Sequence, residues 1–336
     1  MTVTISGTGS HVPETVLGNT ELASRVGVVP QWITDKTGIR ERRVAAPGEA
    51  TSDLAALAAS RALAAARLDA ADVDLLVLAT STPDQPMPAT ACHVQALLGA
   101  TRAAAFDVDA VCSGFVYAFV VAHAMLLADP ARTTALVIGA DTYSRVLDYS
   151  DRRTAVLFGD GAGAVVLRKT PDAGAVLATT LSSDGSTADL VKIPAGGSRE
   201  PASADTVARG RHFFTMHGGD VRRLAAKMMP AVVSDLLDAT GLRPSDIDLL
   251  VPHQANGVML ADLAAGLELH PGTMHLTVAR FGNTGAASIP LTLDDAVQNG
   301  RLSPGSTVFL VAFGGGMTWG GVALRWSGTA GSEAGR

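Results

Sequence analysis

Short apolar runs, bounded by glycine, proline and acidic residues, alternate along the chain with longer apolar or amphipathic segments. That is the pattern of strands alternating with helices. The run closing at Val111 predicts a strand and residues 115–127 predict a helix, which puts Cys112 on the turn between them, within Asp107-Val108-Asp109-Ala110-Val111-Cys112-Ser113-Gly114-Phe115-Val116. Backbone N–H groups at a helix N-terminus stabilise negative charge, so a thiol there is expected to ionise below the free-cysteine value. A single cysteine is by itself more often a small core residue. The rest of the pattern decides between these readings.

The pattern repeats. Asp72-Val73-Asp74-Leu75-Leu76-Val77 recurs 174 positions on as Asp246-Ile247-Asp248-Leu249-Leu250-Val251, and Leu136-Val137 recurs at the same offset as Leu310-Val311. A third echo, Ala164-Val165-Val166-Leu167-Arg168 against Gly321-Val322-Ala323-Leu324-Arg325, comes 157 positions on, as a shorter loop would give. Three echoes in one order predict two related halves, residues 1–170 and 171–326, each a mostly parallel sheet with helical crossovers. A Gly/Ser/Ala-rich tail, residues 327–336, is expected to fray.

The repeat also puts polar residues in register. His253 follows the strand at 249–251 and matches Ala79, so it stands at a strand's C-terminal end, where open α/β sheets bind ligands. Asn283 lies in the glycine-rich turn Phe281-Gly282-Asn283-Thr284-Gly285-Ala286-Ala287-Ser288, before the apolar segment 289–297, and is expected at the counterpart of the Cys112 turn. Cys112, His253 and Asn283 should then meet in the cleft between the halves. Phe313-Gly314-Gly315-Gly316-Met317 follows the strand at 308–312. Three glycines let backbone N–H groups face a ligand without Cβ interference, as an oxyanion hole requires. Gly159-Asp160-Gly161-Ala162-Gly163 opens no long helix and reads as tight packing at a turn, not as a nucleotide loop.

Composition narrows the function. The chain's 336 residues, 47% apolar and 17% charged, suffice for a large core with a deep site. A net charge of −6 without a basic stripe argues against nucleic acid as a partner. The opening Met1-Thr2-Val3-Thr4-Ile5 lacks the regions of a signal peptide, and no uninterrupted apolar run of membrane length is apparent, so a cytoplasmic protein without a membrane partner is expected. Two cysteines, Cys92 and Cys112, make no disulfide framework and suit a reducing compartment. No His/Cys/Asp cluster has metal-ligand spacing, so no metal is expected.

Six segments together resemble β-ketoacyl-acyl carrier protein synthase III, the CoA-using branch of the thiolase superfamily, over about Ile5 to Trp326. They are Trp32-Ile33-Thr34-Asp35-Lys36-Thr37-Gly38-Ile39-Arg40-Glu41-Arg42, Ala110-Val111-Cys112-Ser113-Gly114-Phe115, Gly159-Asp160-Gly161-Ala162-Gly163-Ala164, Val251-Pro252-His253-Gln254-Ala255-Asn256, Gly282-Asn283-Thr284 and Phe313-Gly314-Gly315-Gly316-Met317-Thr318-Trp319-Gly320. The resemblance implies an α/β thiolase fold, layered αβαβα in two pseudo-repeats and assembled as a homodimer. It implies that Cys112 attacks an acyl-CoA, with the N–H groups of Cys112 and Gly315 as oxyanion hole, while His253 and Asn283 stabilise the enolate of a malonyl thioester. Elongating relatives carry a second histidine where this chain has Asn283, so the set resembles the initiating class.

The same resemblance implies that Trp32 stacks on the CoA adenine, that Lys36 and Arg152 flank the nucleotide end, and that Asn256 and Gly218 meet the pantetheine arm. Tyr143, Phe158 and Phe214 are implied acyl-pocket walls, with Met87 at a position reaching a neighbouring subunit's pocket. Acyl-CoA is then a substrate, and no cofactor stays bound. Relatives that recognise acyl carrier protein carry an arginine two residues after the His-Gln-Ala-Asn motif, where this chain has Val258. Arg222, Arg223 and Lys227 are candidate substitutes. The leading function is decarboxylative condensation of an acyl-CoA starter with malonyl-acyl carrier protein, initiating fatty acid or polyketide synthesis. The alternative passes the acyl group from Cys112 to a hydroxyl, amine or thiol without condensation. A non-catalytic partner subunit is disfavoured by the presence of Cys112.

Overall fold

The computed structural model describes residues 1–171, 175–267, 269–270 and 272–328. Of the expected tail, residues 329–336 lie outside the described residues. The first sheet is built from β1 (Thr2–His11), β2 (Leu75–Ala79), β3 (Ala104–Val108), β4 (Thr134–Asp141) and β5 (Gly161–Thr170), in the order β1-β5-β4-β2-β3. The second is built from β6 (Val176–Ser183), β7 (Leu249–Pro252), β8 (Thr307–Gly314) and β9 (Thr318–Arg325), in the order β7-β8-β9-β6. β7, β8, β9 and β6 therefore repeat β2, β4, β5 and β1. In the place of β3 stands an isolated parallel bridge between Leu250 and Met274.

Both sheets are mixed, which corrects the expectation of mostly parallel ones. β2 runs parallel to β3 and β4, but β5 is antiparallel to both β4 and β1. In the second sheet β7 and β8 are parallel, while β9 is antiparallel to β8 and β6. A parallel partner needs a long crossover, and Gly315-Gly316-Met317 between β8 and β9 permits only a hairpin.

Strand alternation sets the layers. Leu75, Val77 and Ala79 of β2, with Leu249, Val251, Val308 and Leu310 of the second sheet, pack on a middle layer of two helices, α3 (Gly114–Ala128) and α6 (Ser288–Gln298). The intervening Leu76, Leu78, Leu136 and Ile138 face outward onto α1 (Thr51–Ala66) and α2 (Thr90–Leu98). Leu250, Phe309 and Val311 face α4 (Gly218–Thr240) on the other side, beside α5 (Gly257–Gly266). The result is αβαβα. Each fully buried Leu or Phe contributes roughly 1.5–3 kcal/mol relative to exposure. Against the expected lack of a membrane-length apolar run, the segment Val111–Ala128 has the length and hydropathy of a membrane span, but Phe115, Val116, Phe119 and Leu126 pack in the core between the two sheets.

The halves interlock through glycine. At Gly139, near the end of β4, an added Cβ would lie 2.3 Å from the carbonyl oxygen of Ala286, on the turn that heads α6. At Gly314, ending β8, it would lie 2.7 Å from Ser113 N and 2.8 Å from Cys112 N, on the turn that heads α3. Each half thus seats the other's helix start. Gly163 fits the reading of tight packing, since its added Cβ would meet Leu291 N at 2.4 Å. We expect Gly139→Ala to cost about 1–3 kcal/mol by overpacking, read as a lower thermal midpoint; an unchanged midpoint would show that the contact yields freely.

Candidate active site

β3 ends at Val108, three residues before the apolar run suggested. The chain then turns sharply: Asp109 Oδ1 accepts the Val111 N–H at 3.0 Å, and Val111 adopts φ +49° before the short 3-10 turn Val111–Ser113. A β-branched residue in the left-handed region costs on the order of 1–3 kcal/mol. Ala110 O anchors the turn by accepting from Ser113 Oγ at 2.8 Å and Thr318 Oγ1 at 3.1 Å. Cys112 then faces a cavity of about 310 Å³, shared with His253, Asn283, Gly314 and Gly315.

Dryness governs the charges. Burial pushes the Cys112 thiol up to about 12 and the Asp141 carboxylate adds to the effect, while the Tyr143 hydroxyl and the backbone N–H of Cys112 oppose it. This runs against the expectation of an easily ionised thiol, because burial disfavours the thiolate. His253 is 1% exposed, and burial lowers it to about 3, so its ring is neutral at working pH. Its Nδ1 lies 2.7 Å from Ser288 Oγ. We assign the hydroxyl as donor, which leaves the proton on Nε2.

Asn283 is held by its backbone, which donates to Leu157 O at 2.8 Å. Its Oδ1 accepts the Gly285 N–H at 2.9 Å, leaving Nδ2 as its donor for the cavity. The turn Gly285–Ala287 is the true counterpart of Val111–Ser113, so the 174-residue offset sets Ala286 opposite Cys112 and Asn283 opposite Asp109. The expected register was three residues off because the glycine-rich stretch offers two turn starts. Gly315 has Val111 Cγ2 and the Val191 side chain 3.1 and 3.2 Å from where a Cβ would stand, so the loop over Cys112 has no room for a side chain that keeps its neighbours in place.

Trp32, Lys36, Arg152, Gly218 and Asn256 line the same cavity, and the Arg152 guanidinium lies 5.6 Å from the centre of the Trp32 ring. Asn256 also has a structural task. Its Oδ1 caps α5 by accepting from Val258 N (2.9 Å) and Met259 N (3.1 Å), and its Nδ2 donates to Lys36 O at 3.1 Å. Phe158 and Phe214 line the cavity; Tyr143 and Met87 do not. Tyr143 stacks behind Phe158 with ring centres 4.4 Å apart, and its hydroxyl lies 2.9 Å from Ser81 Oγ. Met87 is 79% exposed, so it is no wall of its own chain's pocket. Arg222 and Arg223 are matched by Asp262 (2.6 Å) and Asp220 (2.8 Å), which offsets the charge they could offer a carrier.

Sequence reasoning missed Ser288, Ser81 and Asp141. Asp141 is fully buried; its Oδ1 accepts from Thr80, Ser81 and Thr82, and its Oδ2 from Ala286 N at 2.7 Å. Burial still lifts it to about 6 against those bonds. The hydroxyl run Thr80-Ser81-Thr82 directly after β2 was the available signal.

Known proteins match nearly the whole chain. Residues 106–185 match the 3-oxoacyl-[acyl-carrier-protein] synthase III family and residues 237–326 match its C-terminal domain. The chain is 51% identical to the β-ketoacyl-[acyl-carrier-protein] synthase III of Rhodospirillum centenum, over 96% of this chain and 98% of that one. It belongs to the β-ketoacyl-acyl carrier protein synthase III family. It is also 48% identical to the acetoacetyl CoA synthase NphT7 of a Streptomyces species, again over 96% and 98%. The crystal structure of the synthase III of Pseudomonas aeruginosa PAO1 superposes with a TM-score of 0.90 at 42% identity, covering 98% of this chain and all of the other. The chain thus has the thiolase-type fold of condensing synthases, and its activity is condensation; acyl transfer without condensation is not favoured.

Two outcomes follow from this geometry. Asn283→Asp should slow malonyl decarboxylation by about 100-fold, the scale of losing one oxyanion donor, with self-acylation nearly unchanged; equal losses in CO₂ release and acyl-enzyme formation would refute that division. Because His253 is already neutral, CO₂ release should show no histidine titration between pH 5 and 8.

Proposed function

We propose that the enzyme primes synthesis by loading a short acyl group from acyl-CoA onto Cys112 and condensing it with malonyl-acyl carrier protein. In the first half, Sγ bonds to the thioester carbon, the N–H groups of Cys112 and Gly315 hold the oxyanion, and CoA leaves with the electrons of its C–S bond. In the second, malonyl thioester loses CO₂, the His253 Nε2–H and Asn283 Nδ2–H donors hold the enolate oxygen, and the enolate carbon displaces the Cys112 sulfur. Neutral donors suit this step, because a carboxylate there would oppose the developing charge.

The observation that carries this reading is the shared cavity. Cys112, His253, Asn283 and Gly315 face one space whose outer part has Trp32 with Arg152 beside it. A short starter follows from the aromatic cluster at the inner end, where Phe214 meets Phe158 edge-on at 4.9 Å and Tyr143 at 5.6 Å. A homodimer is supported by β3, an edge strand of the first sheet, and by the exposed Met87.

The deciding experiment is intact-protein mass spectrometry with a panel of acyl-CoAs, then malonyl-acyl carrier protein with CO₂ recorded. The expected result is a short acyl adduct, absent in Cys112→Ala, discharged with CO₂ and a β-ketoacyl product. An adduct that persists without CO₂ would overturn the reading. Phe214→Ala should move loading towards longer acyl-CoAs.

A further inference from the structure

An oxyanion hole needs two N–H groups aimed at one point, and the two proposed above belong to different halves: Cys112 on the turn that heads α3, and Gly315 on the loop between β8 and β9. The loop cannot hold that aim alone. Gly314-Gly315-Gly316 has no side chain to restrict its backbone, so the direction of each N–H must be imposed from outside. Packing supplies part of the constraint, since Gly314 lies against Ser113 N and Cys112 N while Val111 and Val191 close on Gly315. The far end of the loop is also held: Met317 N donates to Asp184 O at 3.1 Å, and Met317 O accepts from Asp184 N at 2.8 Å. Such contacts limit where the loop sits more than how the Gly315 peptides rotate.

Rotation is met by two hydroxyls. Thr318 opens β9, paired with Gly314 on one side and Ser183 on the other, so its side chain is presented from a strand fixed on both edges. Its hydroxyl has one hydrogen and meets two carbonyls at nearly equal distance, Gly315 O at 3.0 Å and Ala110 O at 3.1 Å. It therefore bridges the glycine loop and the Cys112 turn. Ser113 Oγ closes the set, 2.5 Å from Thr318 Oγ1 and 2.8 Å from Ala110 O. With Gly314 in the strand and the Gly315 carbonyl held, the peptide between them has little freedom left.

We infer that Thr318, supported by Ser113, is a positioning residue for the acyl-transfer steps: its hydroxyl ties the carbonyl of Gly315 to that of Ala110 and so sets the direction of the Gly315 N–H against that of Cys112. This rests on the oxyanion hole of the acyl-enzyme reading above. Neither Thr318 nor Ser113 lines the cavity, so both act through the backbone they hold. The clasp matters only where a carbonyl oxygen gains charge between the two N–H groups. Attack of the same sulfur on a saturated carbon creates no such charge and is indifferent to it.

The test uses Thr318→Val, which keeps the shape and removes the hydroxyl, Thr318→Ser, which keeps the hydroxyl, and Ser113→Ala, which removes its neighbour. Three rates are read by quenched mass spectrometry: acylation of Cys112 by acyl-CoA, acylation by p-nitrophenyl acetate, which builds the same oxyanion without CoA, and alkylation by iodoacetamide, which builds none. Thr318→Val should acylate about tenfold slower from both donors, short of the roughly 100-fold of losing an oxyanion donor outright, with the KM for acyl-CoA and the alkylation rate unchanged. Thr318→Ser should recover to within about twofold and Ser113→Ala should lose about threefold, because the bridging hydroxyl remains in both. A Thr318→Val enzyme that acylates at the wild-type rate, or loses acylation and alkylation equally, would reduce Thr318 to packing and overturn the inference while the acyl-enzyme reading stands. If Thr318→Val does not fold, Ser113→Ala decides by the same comparison. If the ester pattern holds while no acyl-CoA loads, the clasp stands and the starter assignment falls.

Discussion

Two contacts of backbone on backbone hold the reaction centre together. At Gly139 and Gly314 the end of a strand in one half presses against the turn that starts the central helix of the other, at distances no side chain could occupy. The central helix α3 is largely apolar, α6 puts Ile289, Leu293 and Ala296 into the same core, and the two turns at their heads are where the halves meet. Cys112 stands on one turn, Asn283 just before the other, and His253 and Gly315 extend from neighbouring strand ends. Convergence of residues far apart in sequence is thus a product of core packing, since a misplaced layer would move all of them.

Burial gives this centre its chemical character. It strips water from the thiol, the imidazole and the Asp141 carboxyl alike, and in each case favours the neutral form. For His253 that leaves a neutral ring, which suits the donor role proposed above. For Cys112 it is a cost, since the nucleophile is harder to ionise than in water. In the mechanism proposed above, the N–H groups of Cys112 and Gly315 offset that cost only as negative charge develops on the carbonyl oxygen.

Much of this was legible in the chain. The repeat offset, the Cys112 turn and the glycine loop beside it are local patterns that survive in one dimension. What the sequence concealed depends on contacts across the fold. The Asn283 register could not be separated from its near alternative until the turn at Gly285–Ala287 was seen against Val111–Ser113. Tyr143 is a pocket wall by resemblance, yet it is tucked behind Phe158. The direction of the thiol shift was misread because a helix N-terminus shows in sequence, whereas the depth of burial does not. Antiparallel β5 and β9 were hidden because strand direction is set by the connection, not by the strand's residues.

Ala286, the positional twin of Cys112, gives the duplication a chemical meaning. Its N–H holds the Asp141 carboxylate at 2.7 Å, while the corresponding N–H of Cys112 is the one proposed above to meet the thioester oxygen. A helix-heading turn thus stands in the same position in both halves, and in the second half its N–H serves a resident carboxylate. Asymmetry between otherwise matching halves is what leaves the chain with a single reaction centre and a built-in counterpart that steadies it.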